Sequence, residues 1–162
     1  MRYTPALTTL GFVLSPDRRQ VLMVHRIGRS DDEQLGKWNG LGGKLERDED
    51  VWSGMARELR EEAGIEVASM RLRGTVSWPG FGSDGTDVLG FIFVVDAWSG
   101  RVPDHNAEGP LVWQPITRLA ELPMWEGDRF FLPHVFDDAV EQFHLVIPYA
   151  DGRPLGCTGT VR

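Results

Sequence analysis

The chain has 162 residues, 41% of them hydrophobic and 25% charged, with a net charge of -7 at pH 7 and a pI near 5.0. That length suits one packed domain, 1–162, of an ordinary globular protein. The acidic balance speaks against a partner as large as a nucleic-acid backbone, which needs clustered Lys and Arg, and no apolar run is long enough to span a bilayer.

In chain order, Leu7 to Leu14 reads as a strand, Ser15-Pro16-Asp17 as a turn and Gln20 to His25 as a second strand. Arg26 to Lys37 is polar and reads as a loop. In Trp38-Asn39-Gly40-Leu41-Gly42-Gly43 the glycines allow a sharp turn or a close approach to a ligand. Asp50 to Ala63 is the clearest helix, with Asp50 as N-cap and Gly64 just past its end. Arg71 to Trp78 and Val88 to Asp96 read as paired strands around Gly82-Ser83-Asp84-Gly85, and Leu111 to Ile116 as a shorter strand. A second helix is expected over Asp128 to Val140, with Pro133 in its early turns, then a late strand over Gln142 to Tyr149 and a turn at Asp151-Gly152. Strands on both sides of helices predict an α/β (α+β) sandwich.

The start of the chain lacks a basic stretch followed by an apolar block, so no secretory signal is expected. The single cysteine, Cys157, excludes an intrachain disulfide and fits a cytoplasmic protein. His105, His134 and His144 show no metal-ligand spacing.

On a helical wheel, Trp52, Met55, Ala56, Leu59 and Ala63 form an apolar stripe that should anchor the first helix on the core. Glu58, Glu61 and Glu62 share another face, within about 100° of arc. Gly54 lies on that face one turn earlier and is expected to leave open space beside the carboxylates. Such a run is usually a solvated helix face. Here, however, Glu58 and Glu62 are like charges at i,i+4, the acids crowd the helix C-terminal half, and a glycine sits mid-helix. Several local rules broken at one place point to a site. Oxygen ligands without histidine or cysteine suit hard cations, Mg²⁺ or Mn²⁺, and Arg57, four residues before Glu61, can hold a carboxylate in orientation.

The order Gly43, five residues, Glu49, seven residues, Arg57-Glu58-Leu59, one residue, Glu61-Glu62, one residue, Gly64-Ile65 resembles a complete Nudix box. The resemblance implies a Nudix-type α/β/α sandwich with a mixed sheet and hydrolysis of a diphosphate bond with Mg²⁺, or in practice Mn²⁺. It implies metal ligands at Glu58, Glu61, Glu62 and the backbone carbonyl of Gly42, with Arg57 orienting a glutamate and Glu49 bracing the loop–helix junction. Glu108 matches a further acid of the sanitising branch of the family, although an ordinary loop acid is an equal reading. Glu61, Glu62 or Glu108 would act as general base.

Lys37 to Lys44 resembles the segment before the box in the MutT-type branch, whose members hydrolyse oxidised purine triphosphates such as 8-oxo-dGTP. There Asn39 would contact the base. Pro123-Met124-Trp125-Glu126-Gly127-Asp128 resembles that branch's later segment, in which a tryptophan stacks on the base and acids read its edge. Trp125 would supply the π-face, and Asn39 and Asp128 the hydrogen-bond groups. The branch has two adjacent aspartates where this chain has Gly127 and Asp128, so one edge-reading acid is missing. Trp78 and Phe81 could line the same pocket, although sheet packing is the expectation. His25 and Arg26 could meet phosphates, although a rim salt bridge is the plainer expectation.

The implied partner is a small nucleotide, with no long nucleic acid and no membrane, and the protein is expected as a monomer or homodimer. RNA 5′ ends, ADP-ribose or nucleotide sugars are alternative substrates, and a non-catalytic sensing module is the alternative from another class.

Overall fold

Apolar side chains occupy successive positions at Phe12–Leu14 and again at Val21–Val24, so these stretches of the first two strands must be buried on both faces. The computed structural model, which describes residues 1–162, shows how. Its elements are Ala6–Val13 (β1), Gln20–His25 (β2), Trp38–Asn39 (β3), Val51–Ala63 (α1), Ile65–Trp78 (β4), Val88–Gly100 (β5), His105–Asn106 (β6), Gly109–Pro115 (β7), a 3-10 turn at Ile116–Glu121, Asp128–Val135 (α2), Phe143–Val146 (β8), Tyr149–Ala150 (β9), Arg153–Pro154 (β10) and Thr158–Val161 (β11). A five-stranded mixed sheet runs β1-β5-β4-β8-β11, with β1 parallel to β5 and β4 parallel to β8. A four-stranded antiparallel sheet runs β3-β2-β7-β6.

Alternate residues of the central strands feed two cores. Phe12, Val21, Met23, Ile92 and Val94 face one, completed by Phe131, Leu132 and Val135 of α2. Val13, Leu22, Val24, Phe93 and Val95 face the other, completed by Met55, Leu59 and Ala63 of α1. This is the helix–sheet–helix sandwich that the sequence predicts. No helix is long and apolar enough to cross a membrane.

The ends of α1 follow from its caps. Asp50 Oδ1 accepts from the Ser53 N–H at 2.9 Å, and Gly64 closes the helix at φ 64°, its N–H donating to the Arg60 carbonyl at 3.1 Å. Two details of the wheel need correction. Trp52 is 44% exposed, because the stripe is buried only from Met55 onward and the first turn projects beyond it. Gly54 is buried rather than open: a Cβ there would strike Leu45 Cδ2 and lie 2.9 Å from Glu49 Oε1, so this glycine makes room for the loop preceding the helix.

The second helix ends at Val135, not Val140. Arg73 of β4, 3% exposed, donates to the carbonyls of His134, Val135, Asp137, Val140 and Glu141 at 2.8–3.1 Å. It thereby satisfies carbonyls left free where the helix stops and the chain turns back. The strand expected from Arg71 begins already at Ile65, with register shifts between Val67 and Gly74 that blur its alternation. Its partner runs on to Gly100. The expected strand Gln142–Tyr149 is split, Phe143–Val146 pairing with Thr158–Val161 of the tail and Tyr149–Ala150 with Arg153–Pro154.

The burial pattern predicts unequal costs along α1. Leu59→Ala should lower stability by about 2–5 kcal/mol, whereas Trp52→Ala should stay within about 1 kcal/mol, measured from urea unfolding midpoints. Equal losses at the two positions would contradict the placement of the stripe.

Candidate active site

Segment Leu41 to Leu45 lies along the edge of β1. The Thr9 and Gly11 N–H groups donate to the Gly43 and Leu41 carbonyls at 2.9 and 2.6 Å, and the Leu45 N–H donates to the Leu7 carbonyl at 3.0 Å. At Gly42 a Cβ would collide with the Thr9 carbonyl. At Gly43 a Cβ would stand 2.5 Å from Glu58 Oε1. The glycines therefore let one strap of backbone pass between β1 and the carboxylates of α1.

Arg57 gathers the acids. Its Nε and Nη2 donate to Glu49 at 2.8 and 2.6 Å, and its Nη1 to Glu58 Oε1 and Glu61 Oε2, both at 3.2 Å. Glu49 also accepts from the Glu46 N–H at 2.8 Å, which ties the loop to the helix. The hydrogen bonds from Arg57 hold the Glu49 carboxyl down to about 2.

The three box glutamates are not equivalent. On the wheel Glu62 lies about 20° from Met55 and Glu61 about 120° away. The fold accordingly carries Glu62 to the edge of the core, whereas the Glu61 side chain is 59% exposed and that of Glu58 only 14%. Burial, with the Glu108 and Glu58 charges beside it, pushes the Glu62 carboxyl well above the usual carboxylate range, opposed by the Gly42 N–H donating to Oε2 at 3.4 Å. Glu108 is brought here from the turn between β6 and β7. Asn106 Nδ2 donates to the Glu62 carbonyl at 3.2 Å, Asn106 Oδ1 accepts from the Glu108 N–H at 2.9 Å, and Arg26 Nη1 lies 3.1 Å from Glu108 Oε2.

No three Asp, Glu, His or Cys side chains already converge as a cage for an ion, since Glu58 and Glu61 turn to Arg57. The donor chemistry nonetheless fits a hard divalent cation: carboxylates crowded at the edge of a core, with the Gly42 backbone beside them and neither nitrogen nor sulfur.

Next to this cluster opens a cavity of about 330 Å³ whose wall includes Asn39, Gly42, Lys44, Glu108, Trp125 and Asp128. Residues far apart in sequence thus meet on one surface. Trp78 and Phe81 line the cavity as well, Trp78 being a core residue besides, so packing alone does not describe them. Trp125 is half-buried. Lys37 Nζ stands 4.5 Å from its ring centroid, and Phe81 and Tyr149 meet it edge-to-face at 4.8 and 6.0 Å. Gly127 has a steric reason: a Cβ there would collide with the Tyr149 hydroxyl, which instead accepts from the Gly127 N–H at 3.0 Å. Asp128 Oδ atoms find no hydrogen bond in the protein, and burial pushes its carboxyl up to about 7. Arg26 does form a salt bridge, chelating Asp32 at 2.7 and 3.2 Å, while His25 stacks on Trp38 at 4.3 Å. Gln34, also on the cavity wall, carries no residue-level signal in the sequence; only the length of the loop without helix or strand, Arg26 to Lys37, marks the region as functional.

Residues 4–135 match the NUDIX domain family. Among curated relatives, the chain is 34% identical over 101 residues to the uncharacterized Nudix hydrolase YvcI of Bacillus subtilis, a match spanning 60% of this chain and 63%, less than two thirds, of that protein. It is 32% identical over 131 residues to the oxidized purine nucleoside triphosphate hydrolase of Mus musculus, covering 80% of this chain and 79% of that one. Among solved structures, the MutT protein of Bacillus halodurans superposes with a TM-score of 0.81 at 27% identity, over 94% of this chain and 96% of its own.

Two outcomes follow from the geometry. Gly43→Ala forces the Glu58 carboxylate aside and should leave the unfolding midpoint nearly unchanged while weakening Mn²⁺ binding at least about tenfold, read by calorimetry; unchanged affinity would contradict the contact. For Asp128, the folded protein binds a proton that the unfolded chain has lost between 3.8 and about 7. Its contribution is therefore full below the lower value and is lost as pH rises to the upper one. Asp128→Asn should remove that part of the fall in stability; a wild-type slope in the variant would show that the carboxyl is not held protonated.

Proposed function

The chain belongs to the Nudix hydrolase family, and from that premise we propose that it hydrolyses purine nucleoside triphosphates, oxidised ones such as 8-oxo-dGTP above all, to nucleoside monophosphate and pyrophosphate, as a nucleotide-pool enzyme of the cytoplasm. The observation that carries this reading is that one strap serves two surfaces: Gly42 and Gly43 line the cavity walled by Asn39, Trp125 and Asp128, and Gly43 lies against the Glu58 carboxylate of α1. The name of the mouse relative supports the same substrate class.

Glu58, Glu61, Glu62 and the Gly42 carbonyl would hold Mg²⁺, or Mn²⁺ in its place. When bound, that ion would supply Lewis-acid chemistry, offsetting phosphate charge and making a water more acidic. The chain's own groups do the rest. Arg57 keeps Glu58 and Glu61 oriented. Lys44, on the cavity wall beside the strap, offers a cation to the phosphates. Water attacks phosphorus in line, its proton passes to a carboxylate among Glu61, Glu62 and Glu108, and pyrophosphate leaves. Asn39, Asp128 and Trp125 fix the base, so that the scissile bond lies against the carboxylates.

A side-by-side assay of pyrophosphate or phosphate release with Mg²⁺ tests this, using 8-oxo-dGTP, 2-hydroxy-dATP, the normal nucleotides, ADP-ribose and a 5′-triphosphate RNA. The expected result is a strong preference for an oxidised purine. Flat activity, or preference for ADP-ribose or RNA, would overturn the assignment of the cavity, and no release from any substrate would favour a binding module. Glu61→Gln should lower turnover by about 100-fold or more with the fold intact; near-normal turnover would remove Glu61 from the machinery.

A further inference from the structure

Gln34 Oε1 accepts two hydrogen bonds, from Asn39 Nδ2 at 2.8 Å and from Trp125 Nε1 at 3.3 Å. The second bond decides how the first is oriented. An indole N–H can only donate, so the Gln34 atom facing it must be the carboxamide oxygen. The atom of Asn39 facing that oxygen must then be the amide nitrogen. Asn39 Oδ1 is left without a partner in the protein, on the wall of the cavity.

Gln34 is itself held in place. Its N–H donates to Asp32 Oδ1 at 2.9 Å, and Asp32 is clamped by Arg26, whose Nη1 also reaches Glu108 at 3.1 Å. Its carbonyl accepts from the Lys37 N–H at 2.9 Å, and Lys37 in turn covers the Trp125 ring. The loop between β2 and β3 is thereby fastened at the carboxylate side and delivers one acceptor to the base side.

We infer that Gln34 is the positioning residue for base selection: by taking the Trp125 and Asn39 donors it presents Asn39 Oδ1 to the substrate as an acceptor. This rests on the reading of the cavity as a base pocket and adds to it a direction of preference. The pocket favours a base edge that brings an N–H to Asn39 and disfavours one that brings a bare ring nitrogen, whose lone pair would face that of Oδ1. Oxidation at C8 makes that change in a purine, turning N7 from an acceptor into an N–H donor.

The test is the ratio of dissociation constants for dGMP and 8-oxo-dGMP, measured by calorimetry on wild type, Gln34→Leu and Gln34→Glu, so that hydrolysis plays no part. Wild type should prefer 8-oxo-dGMP. Gln34→Leu, which frees the Asn39 carboxamide to turn over, should reduce that preference about tenfold, the factor one hydrogen bond supplies. Gln34→Glu keeps an acceptor for both donors and should restore it, which a merely structural role for the residue would not require. A wild-type preference that survives Gln34→Leu, or a Gln34→Glu variant that behaves like Gln34→Leu, overturns the role of Gln34 alone. No preference in the wild type overturns the base-pocket reading together with it.

Discussion

Glu58, Glu61 and Glu62 lie within five residues on one helix and repel one another, and the site depends on the one guanidinium, Arg57, that holds two of them, Glu58 and Glu61. Arg57 bonds Glu49, Glu58 and Glu61 at 2.6–3.2 Å and reaches the Lys44 carbonyl at 3.3 Å, so loop and helix share one guanidinium. Its planar fork suits this role better than an ammonium would. Glu62 is beyond its reach and stands instead against the Gly42 N–H, with its charge opposed by Glu108 and Glu58. A carboxylate so placed favours the arrival of a proton or a metal ion.

The sandwich gives this cluster its position. Because β1 and β2 are buried on both faces, α1 and α2 are held on opposite sides of one layer. The free edge of β1 takes the glycine strap, which joins the carboxylates of α1 to the cavity. The far wall of that cavity comes from the segment leading into α2, and Arg73 secures the other end of this helix through five carbonyls. The carboxylates of α1 and the aromatic wall of the cavity thus hang from the same strands.

The features legible in the sequence are those that depend on local pattern. The caps at Asp50 and Gly64 and the apolar stripe of α1 from Met55 onward are written in spacing and side-chain type, and the structure follows them. Contacts between distant segments are not legible there. A mid-helix glycine looks the same whether it opens space or admits Leu45, and Gly54 does the second. Gly127 reads as a missing aspartate in sequence, whereas in the fold Tyr149, 22 residues away, occupies the space a side chain would need. The helix expected to run on to Val140 stops at Val135, where an arginine from another strand takes up the carbonyls that follow. Gln34 acquires meaning only from Trp125, 91 residues later.

The central claim is that the α1 carboxylates under the Gly42-Gly43 strap form a divalent-metal site. An anomalous difference map from crystals soaked in Mn²⁺ tests it most directly. The expected result is a peak beside Glu58 and Glu62 at the Gly42 backbone, with Glu49 still bonded to Arg57. A map with no peak there, or with its strongest peak away from α1, would contradict it.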